Sequence, residues 1–275
     1  PNLLIIIGSI FFVIFTLVVG TSKMALSQEI VFVGSFMIIL FLLFKLSNEL
    51  DANAKKMLIG TAIIIFVFRA MPGVGQGGSW FEIDVLGFDQ EFLSLLGLIA
   101  SFLTILGIFV LRPLMEKSSM TRLIVILSIA GSFFILPSIA MFYGFHEFTS
   151  KLTNGLVDAR FIAIFNTALE SPLGQVSMIP ILAWIAQSAP NHLKATFFAV
   201  LASFTNLALS ASNLGTKYLN QLYVITREVK NDLGIIKTPA DYSELGILLI
   251  IVCTLTLTVP ILVTYIVKKL KLLSY

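Results

Sequence analysis

Long apolar runs without charge constrain this chain more than any other feature. The stretch Leu3–Val19 holds no charged residue, and comparable runs recur as far as Leu245–Val267. About 20 apolar residues in a helix cross the roughly 30 Å hydrocarbon core of a bilayer, and a helix satisfies its own backbone hydrogen bonds in lipid. Only 12% of the 275 residues are charged, against about a quarter in soluble domains. The sequence therefore predicts an all-α polytopic membrane helix bundle and argues against a soluble enzyme.

We predict eight transmembrane helices in this chain. Their bounds are Leu3–Val19, Glu29–Phe44, Met57–Met71, Phe92–Leu111, Leu123–Phe142, Leu156–Ala186, Ala195–Leu219 and Leu245–Val267. The sixth segment contains Pro172 and Pro180, but two crossings and a turn need about 40 residues. We therefore expect one long, tilted helix that its prolines kink, because each proline removes a backbone hydrogen bond. The stretches Gly73–Asp89 and Tyr218–Glu244 are expected to be loops.

The basic residues of the loops predict how the chain is oriented. With eight spans, ten of them, including Lys45, Lys55 and Arg112, fall on one side of the membrane. Six, including Lys23 and Arg227, fall on the other side. Since cytoplasmic loops carry the excess of lysine and arginine, we expect both ends of this chain in the cytoplasm and the protein in the plasma (inner) membrane. Because the chain begins with Pro1 rather than methionine, we expect it to be either a processed protein or a fragment of a longer one, and we favour the fragment.

Polar residues inside the predicted spans share helix faces. At 100° per residue, one face of the sixth span carries Asn166, Glu170 and Gly174, with Arg160 at its edge. The opposite face carries Phe161, Phe165, Leu169 and Val176. The seventh span carries Ser203, Asn206, Ser210 and Asn213 on one stripe, opposite Phe197, Leu201 and Phe204. We interpret the apolar faces as lipid-facing and the polar ones as interior. Close helix packing is the alternative for each stripe, because small and amide side chains also hold helices together.

Glu170 is the strongest single candidate. At about 1.5 Å per residue it lies some 21 Å into its span, just past the midplane. A charge there costs roughly 2.5–3.5 kcal/mol and marks a substrate path or a proton site by default. A structural ion pair with a basic residue on another helix is the alternative.

Three charged residues lie near the outer ends of their spans, namely Arg69, Asp158 and Arg160. The first interpretation is that they are interfacial residues whose side chains reach toward water. The alternatives are an outer gate that pairs Arg69 with Asp158, or an anchor for an anionic substrate.

Several other site types are excluded. Gly73, Gly75 and Gly78 match a dinucleotide motif, but they follow a membrane helix and lack the strand–turn–helix context. His146 and His192 fall on opposite sides, and Cys253 is the only cysteine, so we expect no metal and no cofactor. The net charge of +3 is small and scattered, which excludes a nucleic-acid partner. No catalytic pair lies at one depth, and we expect no enzyme.

Two stretches resemble the major facilitator superfamily, and specifically its folate–biopterin transporter family. The first runs through residues 68–73 (FRAMPG), 84–89 (DVLGFD) and 92–93. The second runs through residues 170–175 (ESPLGQ), 178–180, 189–190, 194–196, 199–201, 206 and 212–215. Together they cover the third to seventh spans, about half the chain.

The resemblance implies twelve helices in two bundles, of which this chain holds helices five to twelve. Residues 1–44 are then the end of the N-terminal bundle, 45–56 a cytoplasmic loop and 57–275 the C-terminal bundle. Helices one to four of the same protein and the lipid bilayer are the implied partners. The resemblance also implies alternating access for a folate, a pterin or a related organic anion.

Within that framework, we expect Asn166, Glu170, Asn206 and Asn213 to line the path, with protons taken up at Glu170. Pro172, Gly174 and Pro180 are expected to supply the flexible segment that gating needs. The alternatives are another cargo on the same fold (a sugar, a drug or a peptidoglycan fragment) and a non-transporting scaffold or receptor.

Overall fold

A computed structural model describes residues 3–22, 24, 26–174, 176–187, 189–190, 192–231 and 234–272. Lys23, used in the orientation argument, and Gln175, part of the family motif, lie outside these residues. The described helices are α1 Leu3–Gly20, α2 Ser27–Ser47, α3 Ala52–Arg69, α4 Gln76–Asp84, α5 Gln90–Val110, α6 Arg112–Lys117, α7 Met120–Phe142, α8 Phe145–Leu152, α9 Ala159–Glu170, α10 Met178–Gln187, α11 Lys194–Leu222 and α12 Leu245–Lys269. Two short antiparallel strands, β1 Val229–Lys230 and β2 Ile236–Thr238, form a hairpin.

Five of the described helices are long and apolar enough to cross a membrane, namely α2, α5, α7, α11 and α12. Residues Ile6–Gly20 form a shorter apolar helix. Helix α3 is not among these five, and its 18 residues include the charged side chains of Lys55, Lys56 and Arg69. These helices are those of a polytopic helical membrane protein, whereas the count of eight spans and the major-facilitator-like fold stay predictions.

The sixth predicted span, Leu156–Ala186, is wrong as one continuous helix. Helix α9 ends at Glu170, a 3₁₀ turn follows at Ser171–Leu173, and α10 begins only at Met178. Pro172 has no backbone N–H, and its ring conflicts with the preceding helical turn. Pro172 therefore marks the point of irregularity, but it lies where the helix is interrupted rather than bent, whereas Pro180 lies inside α10.

Two stretches predicted to be loops contain regular structure. The Gly73–Asp89 stretch holds α4, and the Tyr218–Glu244 stretch holds the end of α11 and the β hairpin. The chain is mostly helical, as predicted, and these five strand residues are a local departure from the all-α bundle. The two-residue alternation that marks a strand cannot be recognised in strands of only two and three residues.

The chain divides into two compact units. Unit 1 comprises Pro1–Met71, Ile181–Leu214 and Leu262–Tyr275, and unit 2 comprises Pro72–Pro180 and Gly215–Ile261. The predicted division into residues 1–44, 45–56 and 57–275 stays a prediction.

Aromatic side chains form the core of unit 1. Phe66 of α3 lies between Phe36 of α2 and Phe204 of α11, with ring centroids 5.6 and 5.0 Å apart. Ile39 and Leu207 are buried in the same cluster. Such tilted ring pairs add about 0.5–1.5 kcal/mol each beyond the burial of their area, so α2, α3 and α11 are held together mainly by this cluster.

The core of unit 2 joins α5, α7 and α9. Phe88 and Phe92 meet edge to face at 4.8 Å and pack with Met141, Ala159 and Ala163. The small side chains of Ala159 and Ala163, four residues apart on α9, permit close approach of the helices. This packing fixes the start of α9, and with it the direction in which α9 runs toward Glu170.

Candidate functional site

A cavity of about 540 Å³ opens in unit 1 between α1, α2 and α11. One wall consists of Ser203, Asn206, Ser210 and Asn213 of α11. Their spacing of three and four residues places them on one helix face, which is the polar stripe predicted from the sequence. Asn206 and Asn213 therefore face a common cavity.

The opposite walls come from α1 and α2. Their polar members are Thr16, Ser27, Gln28 and Ser35, and their apolar members are Phe12, Val31, Phe32 and Ile39. Sequence reasoning missed all of these residues. Ser27, Gln28, Val31 and Ser35 follow the helical spacing, so a helical wheel of the second span, extended two residues before Glu29, could have found them.

The face of α11 opposite the cavity is buried in protein. Phe197 and Leu201 are 0% exposed and Phe204 is 6% exposed, so their predicted lipid-facing position is wrong. Lipid tails and a protein core are both apolar, and hydrophobicity along a span cannot distinguish the two.

Glu170 is the last residue of α9, at the point where the helix is interrupted in unit 2. Its side chain is exposed. Asn166, one turn earlier, donates from Nδ2 to the carbonyl of Phe134 on α7 at 3.2 Å. Asn166 thus links α9 to α7, and Glu170 lies at the C-terminal end of α9.

The interruption is anchored on α5. Thr104 Oγ1 donates to the carbonyl of Ser171 at 2.9 Å, and the hydroxyl of Ser171 donates back to the carbonyl of Thr167. Gly107 of α5 leaves no room for a side chain against the backbone of Pro172. Each hydroxyl bond is a second bond to its carbonyl, because Thr167 already accepts from the N–H of Ser171 and Ser171 from the N–H of Gly174.

The residues after the break are packed rather than lipid-facing. Val176 is 1% exposed, so its predicted position on the lipid side is wrong, and Pro180 is buried. Gly174 lies near Thr104, where an added Cβ would be 3.5 Å from the hydroxyl. Pro172 and Gly174 therefore form the break itself, while Pro180 lies inside α10.

Arg69 reaches α11 within unit 1. Its Nε donates to the carbonyl of Thr205 at 3.1 Å, while the hydroxyl of Thr205 donates to the carbonyl of Ala202 at 2.9 Å. The guanidinium thus binds the backbone of the helix that carries Asn206. The predicted gate pair of Arg69 with Asp158 joins the two units and stays a prediction.

Asp158 and Arg160 have separate contacts in unit 2. Asp158 accepts from the backbone N–H of Phe161 at 2.8 Å and caps α9. Arg160 pairs with Asp89 at 2.6 Å and lies over the ring of Phe92, 5.0 Å from its centroid. The pKa of Asp89 is lowered by the N–H of Phe92 and then by Arg160. Both side chains thus help to fix where α5 and α9 begin.

An acidic residue outside the spans organises a second polar cluster, which sequence reasoning missed. Asp84 accepts two hydrogen bonds from Arg227, at 2.6 and 2.8 Å, and one from the hydroxyl of Tyr242 at 2.7 Å. These contacts, foremost those of Arg227, lower the pKa of Asp84. Burial, followed by the bond to Asp84, raises the pKa of Tyr242 to about 12. Asp84, Arg227 and Tyr242, the Asp84 cluster, thus link α4 to the hairpin region.

Comparison with known proteins adds a family to this geometry. The sequence profile of the BT1 family matches residues 35–274. The chain is similar to the folate-biopterin transporter of Synechocystis sp. (strain ATCC 27184 / PCC 6803 / Kazusa), at 21% identity over 158 residues. That match covers 58% of this chain and 31% of the relative. No solved structure matches the chain. The matched relative is named a transporter, and neither match names an enzyme.

Proposed function

The chain belongs to the BT1 family, and from this premise we propose that it forms part of a secondary active transporter that works by alternating access. The proposed cargo is a folate, a pterin or a related organic anion, because the Synechocystis relative is named a folate-biopterin transporter. The observation that carries the proposal is the cavity of unit 1, which the polar stripe of α11 lines together with Thr16 of α1 and Ser27, Gln28 and Ser35 of α2.

A cavity that polar side chains line between membrane helices supports transport on energetic grounds. Polar side chains within a membrane are unfavourable unless they pair or line a water-filled path. The α11 stripe, with Asn206 and Asn213, lines such a space, and two amides facing one cavity exceed what helix packing requires. A cavity of about 540 Å³ also falls within the usual range for small-molecule sites.

Glu170 is the proposed proton-coupling residue. Transporters place coupling-ion sites at the C-terminal ends of interrupted helices, and Glu170 ends α9 at such an interruption. Asn166, Asn206 and Asn213 are proposed to line the path with it. Pro172, Gly174 and Pro180 are proposed to allow the two half-helices to reorient.

The remaining proposals concern the whole protein. We assign it the twelve-helix architecture of the major facilitator superfamily, in which helices one to four complete the N-terminal bundle. We assign this chain to the plasma (inner) membrane with both of its ends in the cytoplasm, because the excess of loop lysine and arginine falls on that side.

Uptake by the full-length protein in proteoliposomes tests the proposal. We expect folate or biopterin to accumulate when an inward proton gradient is imposed, and Glu170→Gln to abolish the response to the gradient. Glu147→Gln, the same change on the exposed helix α8, is the matched control and should leave uptake unchanged. Proton-driven uptake that survives Glu170→Gln would refute the coupling role, and absence of any flux would refute transport itself.

A further inference from the structure

We propose that the cavity of unit 1 binds the uncharged, planar pterin ring of the cargo through side-chain amides and hydroxyls, and that it excludes the carboxylates of a folate tail. This inference rests on the proposed function, which it deepens by assigning one part of the cargo to named residues. It also places Gln28 and the neighbouring lining residues of α2 in the binding site, opposite the α11 stripe.

The lining of the cavity argues against an anionic ligand group. Among the described residues, no aspartate, glutamate, lysine, arginine or histidine lines it. A buried carboxylate needs a paired charge or several strong hydrogen bonds to offset its loss of hydration, and arginine is the usual partner. Without a cation in the wall, a carboxylate is bound poorly here, whereas a neutral ring loses little hydration energy.

The polar groups of the cavity suit a ring that carries both donors and acceptors. Gln28, Asn206 and Asn213 each offer an amide with two N–H donors and a carbonyl acceptor. Within the described residues these three side chains form no hydrogen bond to another residue. A pterin ring presents a carbonyl, ring nitrogens and an amino group along one edge, and facing amides can pair with all of these in one plane.

The apolar groups of the cavity suit the flat faces of such a ring. Phe12 and Phe32 contribute aromatic surfaces from α1 and α2, and Ile39, Leu207 and Leu214 complete the apolar part of the lining. Mostly apolar walls with a few convergent polar groups are the usual composition of a small-molecule site, and aromatic rings stack on flat partners. Stacking supplies affinity here, and the amides supply orientation.

Equilibrium binding to the full-length protein in detergent separates the two halves of the cargo. The probes are biopterin, which has the ring and no carboxylate, and p-aminobenzoylglutamate, which has the carboxylates and no pterin ring. We expect Gln28→Leu and Asn206→Leu each to weaken biopterin binding about five- to tenfold, the effect of one or two lost hydrogen bonds. Neither substitution should change the binding of p-aminobenzoylglutamate.

Two matched controls make the same changes outside the cavity. Gln221→Leu lies at the exposed end of α11, and Asn53→Leu lies in the exposed first turn of α3, and both should leave biopterin binding unchanged. If a leucine variant does not fold, Asn206→Asp keeps the size of the side chain while it replaces the N–H donors by a charged acceptor on the cavity wall. It should weaken biopterin binding at least as much.

The outcomes distinguish this inference from the proposed function. Biopterin binding that depends on Gln28 and Asn206 in a protein without flux would refute transport and retain the ring site. Flux with biopterin binding indifferent to both residues overturns the ring site alone. Binding of p-aminobenzoylglutamate that falls in the cavity variants also overturns it, because the carboxylates would then occupy the cavity.

Discussion

Replacing Gly107 with alanine tests how closely α5 packs against the interruption after α9. A Cβ built at Gly107 lies under 3.0 Å from the carbonyl oxygen, the Cα and the carbonyl carbon of Pro172. All three are backbone atoms, so no side-chain rotation can relieve the overlap. Either α5 or the break must shift.

The size of the effect follows from a comparison with Gly97 on the same helix. An alanine in place of glycine gains about 1 kcal/mol of helix propensity at either position. A Cβ at Gly97 meets no atom within 4 Å, so Gly97→Ala should be neutral or stabilising. Overpacking costs about 1–3 kcal/mol, and the backbone contact with Pro172 places Gly107→Ala toward the upper end. We expect the two variants to differ in free energy of unfolding by about 2–3 kcal/mol.

Thermal unfolding of the full-length protein in detergent measures this difference, with Gly97→Ala as the control. Gly107→Ala should also lose the hydrogen bond from Thr104 to Ser171, which amide exchange near residue 171 would report. If Gly107→Ala proves as stable as Gly97→Ala, the close approach of α5 to Pro172 is wrong, and with it the anchoring of the break.

Three further predictions concern Asp84, Tyr242 and the helix cap Asp158. Because contacts with Arg227 and Tyr242 lower the pKa of Asp84, the stability that this carboxylate contributes is present above its ordinary value of 3.8 and is lost as the pH falls through the lowered pKa. Because the pKa of Tyr242 is raised to about 12, the stability that its neutral hydroxyl contributes is lost as the pH rises from 10 toward 12. An absorbance titration of Tyr242→Phe should lack one tyrosine that ionises near 12. If the variant instead lacks a tyrosine that ionises near 10, the Asp84 cluster is contradicted. Asp158→Ala should lower the free energy of unfolding by about 1 kcal/mol, the value of an N-cap, whereas Asp158→Asn should keep the cap; equal unfolding of both variants in denaturant would disprove the capping role.

The apolar and polar patterns of the sequence predicted the helices better than their surroundings. The polar stripe of α11 was found because serine and asparagine recur at helical spacing, and the structure places four of them on one cavity. The opposite face was misassigned because Phe197, Leu201 and Phe204 would look the same against lipid as against α2 and α3. Periodicity identifies a face, but it does not identify what covers that face.

Contacts between residues distant in sequence lay beyond local patterns. Asp84 and Arg227 are separated by 143 positions, and neither stands in a motif, so nothing local indicates the Asp84 cluster. Gln28 was missed because a single amide near the start of a span resembles an interfacial residue.

The continuity of the sixth span was misjudged for a different reason. The prediction rested on the length needed for two crossings, and it weighed only two spans against one kinked helix. Pro172 marked the right place, but the decisive partners, Thr104 and Gly107, lie on another helix. Their contribution could not be inferred from the sixth span itself.

The hydroxyls around the break have a mechanical consequence. The carbonyls of Thr167 and Ser171 each accept a hydroxyl as well as a backbone N–H, so the turn after α9 is held by side chains in addition to its own backbone bonds. The rigidity of this turn then depends on the hydroxyls of Thr104 and Ser171 and on the missing side chain of Gly107. Substitutions at these three positions should change how freely α9 moves without changing which cargo is bound.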